Sequence, residues 1–167
     1  QQYVFADLFA GCGGLSLGLK QAGFKHVFMN EIDPVCAKTY LTNLPLDRGS
    51  YFVGDICELN KNLDNYKNVL KNLDLVCGGP PCQGFSNANR QRLFNDPRNT
   101  LYREYLKFVA FTRPKFFVME NVKGMLNKID EIIDDFQRIV GQDYDIAYAV
   151  LKAVDFGVPQ TRERLII

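Results

Sequence analysis

The feature that most constrains this chain is where its glycines and polar residues fall. They come directly after short β-rich runs and directly before amphipathic segments. Residues 3–9, 27–30, 51–53, 73–77, 116–120 and 146–151 predict strands, and residues 15–22, 34–44, 101–112 and 131–140 predict helices. Gly23 stops the first helix and Pro34 suits the first turn of the second. Pro114 lies just past the third, while the fourth has Asp130 as its cap and Gly141 behind it. Such alternation is the signature of a doubly wound, mostly parallel α/β sheet of the Rossmann-like kind. In an open parallel sheet, every segment that follows a strand emerges on one edge, where a ligand crevice forms. Five polar or glycine-rich segments are placed there: 10–14, 31–33, 54–56, 78–82 and 120–122. Packing alone does not explain five such segments on one edge.

Composition narrows the chemistry. At 167 residues the chain is about one domain. Its 20 basic and 19 acidic residues exclude a polyanion binder that works by net charge, so any nucleic-acid site must be local. The single histidine, His26, precedes the apolar Val27-Phe28-Met29 and reads as a strand-edge residue. That removes most triad, dyad and histidine-zinc chemistry, and no metal is expected. Five cysteines at irregular spacing read as reduced thiols of an intracellular, most simply cytoplasmic, protein, or a nuclear one in a eukaryote. No apolar run approaches the roughly 20 residues of a membrane span.

The first half of the chain reads as a cofactor site. Ala10-Gly11-Cys12-Gly13-Gly14 forms a strand-to-helix turn in which glycine admits positive φ and close backbone approach. Glu31 stands 20 positions beyond Gly11, at the end of the next strand, where a carboxylate accepts from ribose hydroxyls. Asp55 ends the third strand within reach of an adenine amino group. Together they point to an adenosine-containing cofactor. Ser16 occupies the position where the dinucleotide pattern G-x-G-x-x-G needs its last glycine, and no cation precedes Lys20. A cofactor with an amino-acid tail and no phosphate, S-adenosylmethionine, fits better than NAD.

The second half carries reactive groups. Pro80 and Pro81 present Cys82 rigidly at the crevice rim, whereas Cys36, Cys57 and Cys77 read as small hydrophobes and Cys12 as a small residue in its turn. Glu120 follows Phe116-Phe117-Val118-Met119, so poor solvation and a raised pKa are expected there. From residue 83 to 103 there are four arginines (Arg90, Arg92, Arg98, Arg103) against the single acid Asp96. Gln83, Ser86 and several asparagines complete a long loop suited to DNA phosphate and groove contacts.

Taken in order, six segments resemble successive motifs of the DNA cytosine-5 methyltransferases. They are Phe9-Ala10-Gly11-Cys12-Gly13-Gly14, Asn30-Glu31-Ile32-Asp33, Gly54-Asp55-Ile56, Gly79-Pro80-Pro81-Cys82-Gln83-Gly84-Phe85-Ser86, Glu120-Asn121-Val122 and Gln160-Thr161-Arg162-Glu163-Arg164. The resemblance implies that Cys82 adds to C6 of a flipped-out cytosine in double-stranded DNA while Glu120 holds and protonates N3. C5 then takes the methyl of S-adenosylmethionine. It assigns Arg162 and Arg164 to the base, its phosphate and Glu120. Cofactor contacts are implied at Phe9, Gly11, Gly13, Glu31, Ile32, Asp55, Ile56, Pro80 and Leu101, with Ala10 and Gly14 of the same turn. Ile32 stands where some members have an aromatic residue, so that wall of the adenine site is expected to be apolar only.

The resemblance covers residues 1–167 as a partial catalytic domain, incomplete at its C-terminus. A target-recognition domain and later motifs are missing, and the chain stops inside the expected strand 164–167. The expectation is a fragment, or one subunit of a split enzyme whose second polypeptide recognises the target. A transfer-RNA cytosine-5 methyltransferase and a non-catalytic methyltransferase-like partner protein are the alternatives. The zinc deaminase pattern H-x-E with P-C-x-x-C is absent.

Overall fold

The computed structural model describes residues 2–81 and 101–167. Its strands are β1 (Val4–Leu8), β2 (Lys25–Glu31), β3 (Tyr51–Val53), β4 (Leu75–Gly78), β5 (Phe116–Val122), β6 (Ala149–Lys152) and β7 (Glu163–Ile166). Its α-helices are α1 (Gly14–Gln21), α2 (Pro34–Asn43), α3 (Ile56–Lys61), α4 (Lys67–Leu70), α5 (Leu101–Thr112) and α6 (Ile129–Ile139). The seven strands form one sheet in the order β3-β2-β1-β4-β5-β7-β6. β1 to β5 are mutually parallel, and β7 runs antiparallel to both β5 and β6. This is the expected doubly wound, mostly parallel α/β fold. The strand order reverses between β1 and β4, so the crevice opens beyond Leu8 and Gly78, which are register partners.

Alternation along the strands sorts the core into two faces. Ala6, Leu8, Phe28, Val76 and Met119 point to the side covered by α3, α5 and α6, where Phe28 stacks on Phe108 and Phe117 on Phe136. Phe5, Leu75 and Cys77 point to the other side, against Leu15 and Leu19 of α1, and Met29 packs on Ala37 and Tyr40 of α2. Each large apolar side chain fully withdrawn from water in this way contributes about 1.5–3 kcal/mol before conformational entropy is counted.

Three expectations are corrected. The sequence predicts no helix in the segment after Asp55, yet α3, the 3-10 turn Leu63–Tyr66 and α4 occupy it. The side chain of Asp55 starts α3 by accepting from Cys57 N at 2.7 Å, while Leu59 and Leu63 anchor the segment in the core. The expected strand 146–151 is confined to β6, which is antiparallel to its neighbour. Asp130 is not a cap: the helix begins after Lys128, and Asp130 lies within its first turn.

Candidate active site

At the carboxyl end of β1 the chain turns sharply through Phe9 (φ +54°), Gly11 (φ +54°) and Gly13 (φ +93°). Phe9 is a non-glycine residue in the left-handed region, a strain that neighbouring structure must hold in place. Gly13 is required on two grounds. Its φ disfavours a side chain, and a Cβ there would stand 2.9 Å from the Tyr40 ring. Gly13 is also the residue before α1, whose first turn carries no acidic side chain.

Glu31 is buried, and both of its oxygens are held by backbone. Oε2 accepts from Gly11 N at 2.7 Å, and Oε1 accepts from Asp33 N at 2.8 Å. A carboxylate offers about four acceptor positions, so each oxygen keeps capacity for a ribose hydroxyl. Ile32 beside it is 63% exposed, an apolar surface facing solvent. Asp55 is exposed at the end of β3 with one oxygen engaged in capping α3. Asn30 joins the ends of β2 and β3, donating to Phe52 O at 3.0 Å and Gly54 O at 2.9 Å. Ile56, by contrast, is buried against the core.

Beneath this turn lies a buried polar group to which the sequence assigned no role. Ser16 Oγ donates to Asp7 Oδ2 at 2.6 Å and lies 2.7 Å from Tyr40 Oη, tying β1, α1 and α2 together. Burial pushes the Asp7 carboxyl up to about 7, with the Ser16 and Cys77 hydrogen bonds opposing that shift.

The other side of the crevice is assembled differently. Because β7 is antiparallel, its first residues lie beside the last residues of β5, with Arg164 opposite Val122. Arg164 Nε stands 2.9 Å from Glu120 Oε1, and Arg162 Nη2 stands 3.6 Å from the same oxygen. Gly79 runs past this carboxylate so closely that a Cβ there would lie 3.1 Å from Glu120 Oε2. The expected apolar, poorly solvated setting for Glu120 is therefore corrected. Its side chain is 28% exposed and faces two guanidinium groups, because β7 rather than a hydrophobic wall covers that end of β5.

Asn121, buried next to Glu120, was in a recognised motif but had no role. It donates to Pro80 O at 2.8 Å and so fixes the segment that leads into Cys82. Pro80 is buried, Pro81 exposed and Leu101 half-buried at the start of α5. Cys82, Gln83, Ser86, Arg90, Arg92 and Arg98 lie outside the described residues. His26 sits near the amino end of β2, its Nε2 at 3.3 Å from Pro45 O, at the opposite edge of the sheet from these groups. Among the described residues no cluster of three or more metal-ligating side chains occurs, and no helix is long and apolar enough to cross a membrane.

Comparison with known proteins agrees with this geometry. The model of the C-5 cytosine-specific DNA methylase family matches residues 3–167. The chain is 41% identical to the type II methyltransferase M1.HphI of Haemophilus parahaemolyticus over 171 residues, 98% of this chain and 44% of that enzyme. It is 40% identical to the type II methyltransferase M.AquIA of Picosynechococcus over 173 residues, 96% of this chain and 69% of that protein. Among solved structures, a prophage-encoded DNA modification methyltransferase of E. coli superposes with a TM-score of 0.81 at 34% identity. That match covers 99% of this chain and 45% of that one. The chain thus spans less than half the length of two of these three.

Proposed function

The chain belongs to the C-5 cytosine-specific DNA methylase family, and from that premise we propose that it is the cofactor-binding and chemical part of a DNA cytosine-5 methyltransferase. The observation that carries the reading is the convergence of Glu120, Arg162 and Arg164 beside the Gly79-Pro80-Pro81 segment that leads into Cys82. The names of its relatives support a place in a type II restriction-modification system.

S-adenosylmethionine, when bound, supplies a methyl group made electrophilic by its sulfonium. The residues present fit it. Glu31 keeps acceptor capacity for ribose hydroxyls, Ile32 offers an apolar surface for adenine, and Asp55 offers a carboxylate for its amino group. The amino end of α1 and the turn of Ala10, Gly11, Gly13 and Gly14 offer backbone N–H groups to a carboxylate tail. Phe9, Pro80 and Leu101 complete the walls of the pocket, and Ile56, buried in the core, backs Asp55.

The base must leave the duplex stack to enter this crevice. The Cys82 thiolate attacks C6, and Glu120 meets the negative charge that develops across N3 by holding that nitrogen and relaying a proton to it from solvent. Arg164 and Arg162 hold Glu120 in position and attract the phosphate of the extruded nucleotide. After C5 has been methylated, loss of the C5 proton expels the Cys82 sulfur and restores the aromatic ring. Gln83, Ser86, Arg90, Arg92 and Arg98 contact the DNA, and a target-recognition segment elsewhere in the enzyme, on this polypeptide or a second one, reads the surrounding bases.

The test uses the complete enzyme with S-adenosylmethionine and DNA carrying 5-fluorocytosine, which blocks the final elimination. A covalent protein–DNA adduct that disappears in Cys82→Ser is the expected result. An adduct that persists moves the nucleophile elsewhere, and methyl transfer to transfer RNA in preference to DNA replaces the substrate.

A further inference from the structure

Two groups assigned to the cofactor, Glu31 and the amino end of α1, lie on different elements, and α2 spans the distance between them. The start of α2 is tied to Glu31. Asp33 caps α2 by accepting from Val35 N at 2.7 Å and donates its own N–H to Glu31 Oε1 at 2.8 Å. Further along α2, the fully buried Tyr40 reaches α1. Its ring lies so close to Gly13 that a Cβ there would stand 2.9 Å from Cδ2 and 3.2 Å from Cε2. Its hydroxyl ends 2.7 Å from Ser16 Oγ. Residues three apart share one face of a helix, so Tyr40 lies along the first turn of α1 and holds it at both ends.

The direction of these bonds follows from counting protons. A serine hydroxyl has one, and Ser16 gives it to Asp7 Oδ2 at 2.6 Å. Tyr40 is then the donor to Ser16. Asp7 is buried in β1, beside its register partner Cys77 of β4. The chain Tyr40→Ser16→Asp7 therefore runs from α2 through α1 into the sheet. Nothing local to α1 replaces it as an anchor for that end. Gly13 provides no side-chain cap, and the first turn carries no acid. A helix start leaves N–H groups without helical partners, and their position is set by where this chain holds the turn.

We propose that Tyr40 and Ser16 are positioning residues of the cofactor site, holding the amino end of α1 at the spacing from Glu31 that lets one molecule present its amino-acid tail and its ribose together. This rests on the assignment of Glu31 and the turn 10–14 to the cofactor. Both side chains are fully buried beneath the turn, so they act through the main chain and not by touching a ligand. Without either hydroxyl, α1 is free to shift against α2. Glu31 keeps its bonds to Gly11 N at 2.7 Å and Asp33 N at 2.8 Å, so the nucleoside end of the site persists while the tail end loosens.

The test titrates the complete enzyme by calorimetry with S-adenosylmethionine and with 5′-methylthioadenosine, a thioether of the same nucleoside that has no amino-acid tail. Tyr40→Phe keeps the ring against Gly13 and removes only the hydroxyl, and Ser16→Ala removes the middle of the chain. Each should weaken S-adenosylmethionine about fivefold to tenfold, the size of one lost hydrogen bond, and leave 5′-methylthioadenosine within about twofold. Asp7→Asn keeps an acceptor for Ser16 and should bind both ligands as the unaltered enzyme does. Loss of affinity for both ligands alike in Tyr40→Phe and Ser16→Ala would reduce the pair to a purely structural role and overturn the proposal. Loss for neither, or an Asp7→Asn protein that behaves like Ser16→Ala, would overturn it as well. Unaltered enzyme that binds neither ligand would instead overturn the functional assignment, and this proposal with it.

Discussion

The two sides of the crevice are built on different principles. Along β1 to β3, polar side chains are held by main chain: Glu31 by two N–H groups, Asp55 by the cap of α3, Asn30 by two carbonyls. Along β4, β5 and β7 they are held by charge, with one carboxylate facing guanidinium groups delivered by an antiparallel strand some 40 residues later. The first construction suits a ligand that must be bound and released unchanged in position. The second suits a step in which charge moves, because guanidinium groups already in place need not reorganise as it does. Binding and chemistry should therefore separate when one side or the other is altered.

The sharpest separation is expected at Glu120. Glu120→Gln should lower kcat by roughly a hundredfold to ten-thousandfold, the range typical of a lost proton donor. S-adenosylmethionine affinity, read by calorimetry, should stay within about twofold, and a parallel loss of affinity would erase the proposed division of labour.

On the proposed cofactor side, the next largest effect concerns stability through Asp7. Its folded-state carboxyl sits at about 7, above the ordinary aspartate value of about 3.9, so the folded protein holds an extra proton between those limits. Stability from this group is complete below about pH 4 and declines as pH rises through 7, by at most on the order of 4 kcal/mol. Urea midpoints measured at pH 5 and pH 8 should differ accordingly, and Asp7→Asn should flatten that difference. An unchanged slope in the variant would place the titrating group elsewhere.

Smaller effects complete the contrast. Gly13→Ala must adopt φ +93° and push against Tyr40, so a loss of about 1–3 kcal/mol is expected, with weakened cofactor binding. Thermal unfolding together with cofactor titration reads both. Asn121→Ala leaves the buried Pro80 carbonyl without its donor, at a cost of about 1–3 kcal/mol. Single-turnover methylation should slow because Cys82 loses its support, while cofactor affinity holds; the reverse pattern would mean that Asn121 belongs to the other side of the crevice.

Much of the fold is legible in the sequence. Among the described residues, periodicity located every strand and four of the six α-helices, since burial on a pleated sheet and on one helix face leaves repeats of 2.0 and 3.6 residues. The glycine turn and the acids at strand ends were equally readable, because a tight turn and a strand-terminal acid are written in contiguous residues. The helices α3 and α4 escaped: each is short, and tertiary packing of Ile56, Leu59 and Leu70 rather than a long apolar stripe stabilises them.

The sequence by itself determined the doubly wound architecture, the crevice edge and the chemical types of its residues. Only the tertiary structure decided two matters: that β7 reverses direction and sets Arg162 and Arg164 against Glu120, and that Asp7 is sealed beneath the turn with Ser16 and Tyr40. The physical reason is common to both. Strand direction, burial and contact between distant segments depend on how hydrogen-bonded ladders and packed faces close in space, and no local pattern of residues records that closure.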